Sequence, residues 1–150
     1  MLNEARKTDL IYLVRYLFKL IDKDLDNRLS EYGLTGQQGR ILFFVYIKTK
    51  QGIEVHQNDI ENEYHLSKST VSGLVKRMEK KGLISIEKQY PYAILKPAEQ
   101  GLNILCHLKK HRDEVIKQIV NDVSEEEQET LNRLLIQLIE NMGGGNDNVE

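Results

Sequence analysis

The sequence predicts a mainly α fold of the α+β kind, with a helix-turn-helix and a short β-hairpin set between long helices. Three observations predict it. Val71, Leu74, Val75 and Met78 recur at i, i+3, i+4 and i+7, the apolar stripe of a helix that opens at Ser67 and stops at Gly82. A short helical segment and a three-residue turn precede that helix, and two β-runs follow it. On both sides the chain reads as long amphipathic helix.

The first long helix is expected from Thr8 to about Glu31. Leu10, Val14, Leu17, Ile21 and Leu25 form its stripe, widened by Ile11, Leu13, Phe18 and Leu20. Gly33 breaks it. Thr35 and Gln38 have the spacing of a capping box, so a second helix should run from Gly36 to about Lys50. Its segment from Ile41 to Ile47 is apolar on every face, which predicts burial at the centre of a domain. Gln51-Gly52 ends it.

A short helix from roughly Gln57 to Tyr64 carries Ile60 and Tyr64 at i, i+4, and His65-Leu66-Ser67 turns tightly into the next helix. Leu83–Glu87 and Tyr92–Leu95 are the β-runs, joined by Lys88-Gln89-Tyr90-Pro91. A hairpin placed directly after such a helix is a wing. From Ala98 a long helix resumes with Leu102, Leu105, Leu108, Val115, Ile119 and Val120, ending near Asp122-Val123. Ser124 and Glu127 make another capping box for a last helix, whose apolar face is Leu131, Leu134, Leu135, Leu138, Ile139 and Met142. Gly143-Gly144-Gly145 stops it, and 146–150 should be a disordered tail. The chain then reads as one domain over 1–150: a winged helix-turn-helix lobe at 33–97, flanked by dimerisation helices at 1–32 and 98–145.

Composition narrows the function classes. No run of about 18 apolar residues is present, so no membrane span is expected. The opening MLNEARKTDL has no apolar signal core, which argues against secretion. A single cysteine, Cys106, forbids an intrachain disulfide and fits the cytoplasm. The formal net charge is −2, but its distribution is uneven. Residues 66–96 hold seven Lys or Arg against Glu79 and Glu87, whereas 97–150 hold five against eleven acids. The basic charge gathers where the stripe-bearing helix lies.

That helix shows Ser69, Thr70, Ser72, Gly73, Lys76 and Arg77 on its other face. Small hydroxyl residues lead, allowing close approach, and cations follow, able to meet phosphates. This is the layout of a helix lying in the major groove of DNA. The alternative is that Lys76, Lys80 and Lys81 are simply a solvated helix face. The long flanking helices present more apolar surface than the small lobe could cover. At about 1.5–3 kcal/mol for each buried Leu or Ile, they are expected to interlock with a second copy. The alternative is a helical bundle closed within one chain.

With these elements in order, the chain resembles the MarR family of bacterial winged-helix transcriptional regulators. The resemblance is carried by LTGQQGRIL (34–42), VHQNDIENEYHLSKSTVSGLVKRMEKKGLI (55–84) and KPAEQG (96–101). It implies a homodimer binding double-stranded DNA at a pseudo-palindromic operator, as a transcriptional regulator and a repressor tuned by a small ligand. Half-sites would lie roughly 10 bp apart. Lys68 through Arg77 match the family's reading helix. Ser69, Thr70, Ser72 and Gly73 would face base edges, Lys76 and Arg77 would approach phosphates, and Gln57 would meet the DNA backbone. Lys88 and Tyr90 occupy the wing tip. The wing departs from the family pattern: it is shorter, and it lacks an acidic residue followed by arginines. That puts a minor-groove arginine contact in question and shifts affinity toward the reading helix.

Other chemistry finds less support. No nucleophile motif, phosphate-binding glycine loop or paired metal cysteines appear, so catalysis is not expected, and no cofactor is implied. His107 and His111 are spaced i, i+4 as a metal pair would be. Zinc-sensing relatives also use a histidine in the second helix, where this chain has Arg40, and a solvated pair is the simpler reading. Cys106 is expected to be a partly buried, inert thiol rather than a redox sensor. A small aromatic or phenolic effector could use Tyr12, Arg15, Tyr16, Phe43 and Phe44, with Arg15 pairing a carboxylate and the rings stacking; ordinary core packing is the alternative. The competing function classes are a metal-dependent regulator and a winged-helix protein-interaction module that binds no DNA.

Overall fold

The computed structural model describes residues 4–88 and 91–144. Its elements in chain order are α1 (Glu4–Lys7), α2 (Leu10–Glu31), α3 (Gly36–Lys50), α4 (Gln57–Tyr64), α5 (Lys68–Lys80), β1 (Ile84–Lys88), β2 (Ala93–Pro97), α6 (Glu99–Ile119) and α7 (Glu125–Asn141). The chain divides into two compact units, one up to residue 108 and the other from 109 onward. Among the described residues no helix is long and apolar enough to cross a membrane.

The first unit holds the core. Leu29 and Leu34 meet Ile41, Leu42 and Val45 of α3, Ile60 of α4, and Val71, Leu74, Val75 and Met78 of α5. Val55, Leu83, Ile84, Leu95, Ile104 and Leu105 complete it. Local chemistry sets the helix starts. Asp9 caps α2 by accepting from the Tyr12 amide at 3.0 Å. At α3, Thr35 Oγ1 accepts from the Gln38 amide at 3.2 Å, and the Gln38 side chain accepts from the Thr35 amide at 3.1 Å. That reciprocal pair satisfies two backbone donors that the helix itself cannot. Gln38 is only 4% exposed while Thr35 is exposed, so the box sits at the edge of the core.

The turn from α4 into α5 places His65 in the left-handed region, φ 51°. It lets the Leu66 amide return to the Glu61 carbonyl before Ser67 caps α5. β1 and β2 pair antiparallel from Ile84–Pro97 to Lys88–Ala93, and a bridge from Val55 to Leu95 adds a third short line of backbone pairing. The turn expected at Lys88-Gln89-Tyr90-Pro91 includes Gln89 and Tyr90, which lie outside the described residues, as does the expected tail 146–150.

In the second unit, Ser124 caps α7 with Glu127 as its reciprocal partner. Gln128 Nε2 donates to the Val123 carbonyl at 2.8 Å and ties the turn to the new helix. α6 stops at Ile119, a few residues before the expected Asp122-Val123; the Asn121 amide turns back to the Gln118 carbonyl, and Asp122 takes a left-handed φ of 60°.

Two expectations need correction. The apolar segment of α3 is not buried on every face: Ile41, Leu42 and Val45 are buried, but Phe43 is 48% exposed. The core lies on one side of α3 only. Cys106 is exposed, not partly buried. On α6 the inward line runs through Gly101, Ile104 and Leu105, and a residue two positions after Ile104 faces away from it.

Candidate nucleic-acid interface

α5 is a helix with two opposed faces. Val71, Val75 and Met78 are fully buried and Leu74 nearly so. Opposite them Ser69, Gly73, Lys76 and Lys80 follow at i, i+4, i+7 and i+11, the centre line of the outward face. Thr70 and Arg77 flank that line on one side, and Lys68, Ser72 and Glu79 on the other. Ser72 and Gly73 are half-buried; Lys68, Ser69, Thr70, Lys76, Arg77 and Lys80 are exposed. The helix-turn-helix therefore presents the residues expected to read base edges and those expected to meet phosphates on one accessible surface.

The N-terminus of α5 carries a hydroxyl cluster. Ser67 Oγ accepts from the Thr70 amide at 3.2 Å, and it lies 2.8 Å from Thr70 Oγ1 and 3.2 Å from Ser69 Oγ. The cap thus holds both hydroxyls in place. Ser67 and Lys80 join the candidate surface in addition to the residues matched by resemblance. Lys80 could have been found by extending the outward spacing one more turn.

Not all the basic charge is available. Lys81 Nζ donates to the Gly33 carbonyl at 2.6 Å, and Lys96 Nζ pairs with Glu87 at 2.9 Å. Lys68, Lys76, Arg77, Lys80 and Lys88 have no acidic partner among the described residues. An unpaired cation can offer its full charge to a phosphate without first breaking an internal contact.

Around the reading helix, Gln57 is the first residue of α4 and half-buried. His56, just before it, links α4 to the hairpin. Its amide donates to Asp59 Oδ2 at 2.7 Å, and its Nδ1–H donates to the Ala93 carbonyl at 2.9 Å. Its ring lies 5.7 Å from that of Tyr92. No local signal marks this bond, which joins residues far apart in sequence. Lys88 ends β1 and is exposed. Tyr90 lies outside the described residues.

The candidate effector residues fall into two sets. On α2 the Tyr12 and Tyr16 rings stack at 5.7 Å, with Arg6 over Tyr12, and Arg15 is exposed. On α3, Phe44 meets Tyr64 edge-on at 6.0 Å while Phe43 faces solvent. No ring contact joins the two sets among the described residues. Tyr64 donates to the Arg40 carbonyl at 3.0 Å, and burial pushes its hydroxyl above the usual tyrosine range, reinforced by Glu63 and opposed by Arg40. Arg40 itself pairs with Asp22 of α2 at 3.2 Å.

His107 Nδ1 lies 2.8 Å from the Asn103 carbonyl, one turn back. His111 Nδ1 lies 3.7 Å from Glu114. Among the described residues no group of three or more His, Cys, Asp or Glu side chains is arranged to hold a metal ion.

Residues 32–90 match the model of the MarR family. Curated protein sequences give no significant match. Among solved structures, the chain is similar to MepR, a transcription regulator of the Staphylococcus aureus multidrug efflux pump MepA. Identity is 25% and the TM-score 0.76, over 89% of this chain and 98% of that one. It is similar at 25% identity and a TM-score of 0.66 to a mutant S. aureus MepR bound to an oligodeoxyribonucleotide, over 87% and 96% of the two chains. A MarR family protein from Bacillus stearothermophilus shares the fold, at 24% identity and a TM-score of 0.78 over 95% and 99%. Residues 32–90 therefore match the MarR family, within a chain that has the fold of solved MarR-family regulators.

Proposed function

We propose that this chain is a cytoplasmic, sequence-specific regulator of transcription that binds a pseudo-palindromic duplex as a homodimer and acts as a ligand-responsive repressor. The observation that carries the reading is the outward face of α5. Hydroxyls stand at its N-terminal end, glycine at its middle and, at its C-terminal end, cations with no acidic partner among the described residues. A solvated surface helix needs no such order, whereas it suits a helix whose N-terminal part meets base edges in a major groove. The MepR variant with an oligodeoxyribonucleotide bound supports the same use of the fold.

The exposed apolar rows of α2 and α7 support the homodimer. For the effector, the stacked Tyr12–Tyr16 pair and the exposed Arg15 of the same helix suit a small aromatic carboxylate. Such a ligand would act by preferring a conformation that no longer fits the operator. Benzoate titrated into the protein–duplex complex should release DNA, and Arg15→Ala should blunt the release.

The experiment is a duplex titration at several salt concentrations. Several phosphate contacts give a steep fall of log affinity with log salt. No duplex binding, or a flat slope, would overturn the reading in favour of a protein-interaction module. Repression is read by placing the bound duplex over a promoter and measuring transcription in vitro, which should drop on adding the protein.

A further inference from the structure

We infer that Arg77 reads a base, with Gly73 as the bed that aims it, rather than clamping a phosphate. This rests on the DNA-binding reading above. A β-carbon built at Gly73 would stand 3.3 Å from Arg77 Nη1 and 4.0 Å from its Cζ and Nη2. The guanidinium therefore lies back along the helix, over the one residue of the outward face that has no side chain. Long helical side chains lean toward the N-terminus, and residues four apart stack one above the other. The head group of Arg77 is thereby carried one turn forward, from the cationic end of α5 to the level of Gly73.

That position matters because the N-terminal part of a reading helix is what approaches base edges. Gly73 sits on the centre line between Ser69 and Lys76. Arg77 has no acidic partner among the described residues, so nothing diverts it from this placement. A guanidinium presents a planar fork of donors, and guanine presents O6 and N7 as two acceptors in the major groove. Lys76 and Lys80, unforked point charges on the same face, remain the phosphate contacts. Glycine at 73 then has a definite role. An alanine methyl there would force the guanidinium away by a few tenths of an ångström, enough to misalign a bidentate contact.

The test begins by selecting from a random duplex library with the unmodified protein. Affinities of the enriched duplex and of an unrelated duplex are then measured for Arg77→Lys, Arg77→Ala and Gly73→Ala. A base-reading fork predicts that Arg77→Lys loses roughly 10- to 100-fold on the enriched duplex, nearly as much as Arg77→Ala, with the unrelated duplex little changed. Repeating the selection with Arg77→Lys should erase a guanine preference at one position in each half-site. Gly73→Ala should melt no lower than the parent chain, since alanine is the better helix former, yet show a smaller loss of the same preference. If Arg77→Lys keeps both affinity and preference while Arg77→Ala weakens both duplexes equally, Arg77 is a phosphate contact and the inference fails. Gly73→Ala reading the duplex as well as the parent would likewise overturn the placement. If the unmodified protein enriches no duplex at all, it is the DNA-binding reading itself that falls.

Discussion

Gly101 shows how one missing methyl group sets the geometry under the interface. A β-carbon there would stand 2.9 Å from Leu42 Cδ1 and closer still to the Leu83 carbonyl oxygen. The start of α6 is thereby pressed against the backbone that leaves α5 for the hairpin. Two effects oppose each other in Gly101→Ala. Helix propensity favours alanine by about 1 kcal/mol, while overpacking a filled core costs about 1–3 kcal/mol. The nearest atom belongs to backbone and cannot swing aside, so the clash should win. Gly101→Ala is expected to lower the denaturant midpoint by the equivalent of up to about 2 kcal/mol, and a raised midpoint would contradict it. Lys76, by contrast, is exposed and has no acidic partner among the described residues. Lys76→Ala should leave thermal stability as it was, weaken all duplexes alike and reduce the salt slope by about one. A loss confined to the selected duplex would instead make Lys76 a base reader.

At the scale of elements, the question is what holds α5 in its presenting position. Part of the answer is Lys81, whose ammonium donates to the Gly33 carbonyl in the turn between α2 and α3. One end of the reading helix is thus tied to the end of the long N-terminal helix. Lys81→Met keeps the apolar stem but removes the donor. It should cost about 0.5–1.5 kcal/mol of stability while leaving the salt slope of DNA binding nearly unchanged, the reverse of the Lys76→Ala pattern. A drop in slope without a drop in stability would show that Lys81 contacts phosphate after all. The distinction between these two lysines was not legible in the sequence, where both belong to one basic cluster. What was legible is local. The Thr35–Gln38 and Ser124–Glu127 boxes and the Ser67 cap depend on residues within one turn, and all three form as their spacing implies. The four buried residues of α5 follow from period alone. What was hidden depends on partners distant in sequence. His56 reaches Ala93, Lys81 reaches Gly33, and Phe43 is left exposed because the core lies on one side of α3. The Arg77–Gly73 contact lay between these cases, since the spacing allowed it but only side-chain placement revealed it.

At the scale of the whole molecule, the single chain leaves rows of apolar surface uncovered. On α2, Leu10, Val14, Leu17, Ile21 and Leu25 are each between 37% and 57% exposed. On α7, no residue is buried, and Leu131, Leu134, Leu135, Leu138 and Ile139 are each at least 38% exposed. Single exposed leucines are ordinary, but rows of them along helices are not. At about 1.5–3 kcal/mol for each side chain taken fully out of water, covering the roughly half of each of these ten residues that is still exposed is worth about 7–15 kcal/mol, as much as the stability typical of a domain this size, about 5–15 kcal/mol. A second copy of the chain would supply the same apolar rows and could close on itself through two-fold symmetry. The unmodified protein should therefore sediment as a dimer at micromolar concentration, and its melting temperature should rise with concentration because folding and association are linked. The double substitution Leu134→Glu with Leu138→Glu places two charges in the α7 row, and burying an unpaired carboxylate is strongly unfavourable. It should yield monomer with a lower melting temperature. Because two half-sites can no longer be held together, affinity for the selected duplex should fall far more than affinity for a single half-site. A parent chain that sediments as monomer, with a melting temperature independent of concentration, would remove the two-fold arrangement and with it the expectation of a palindromic target.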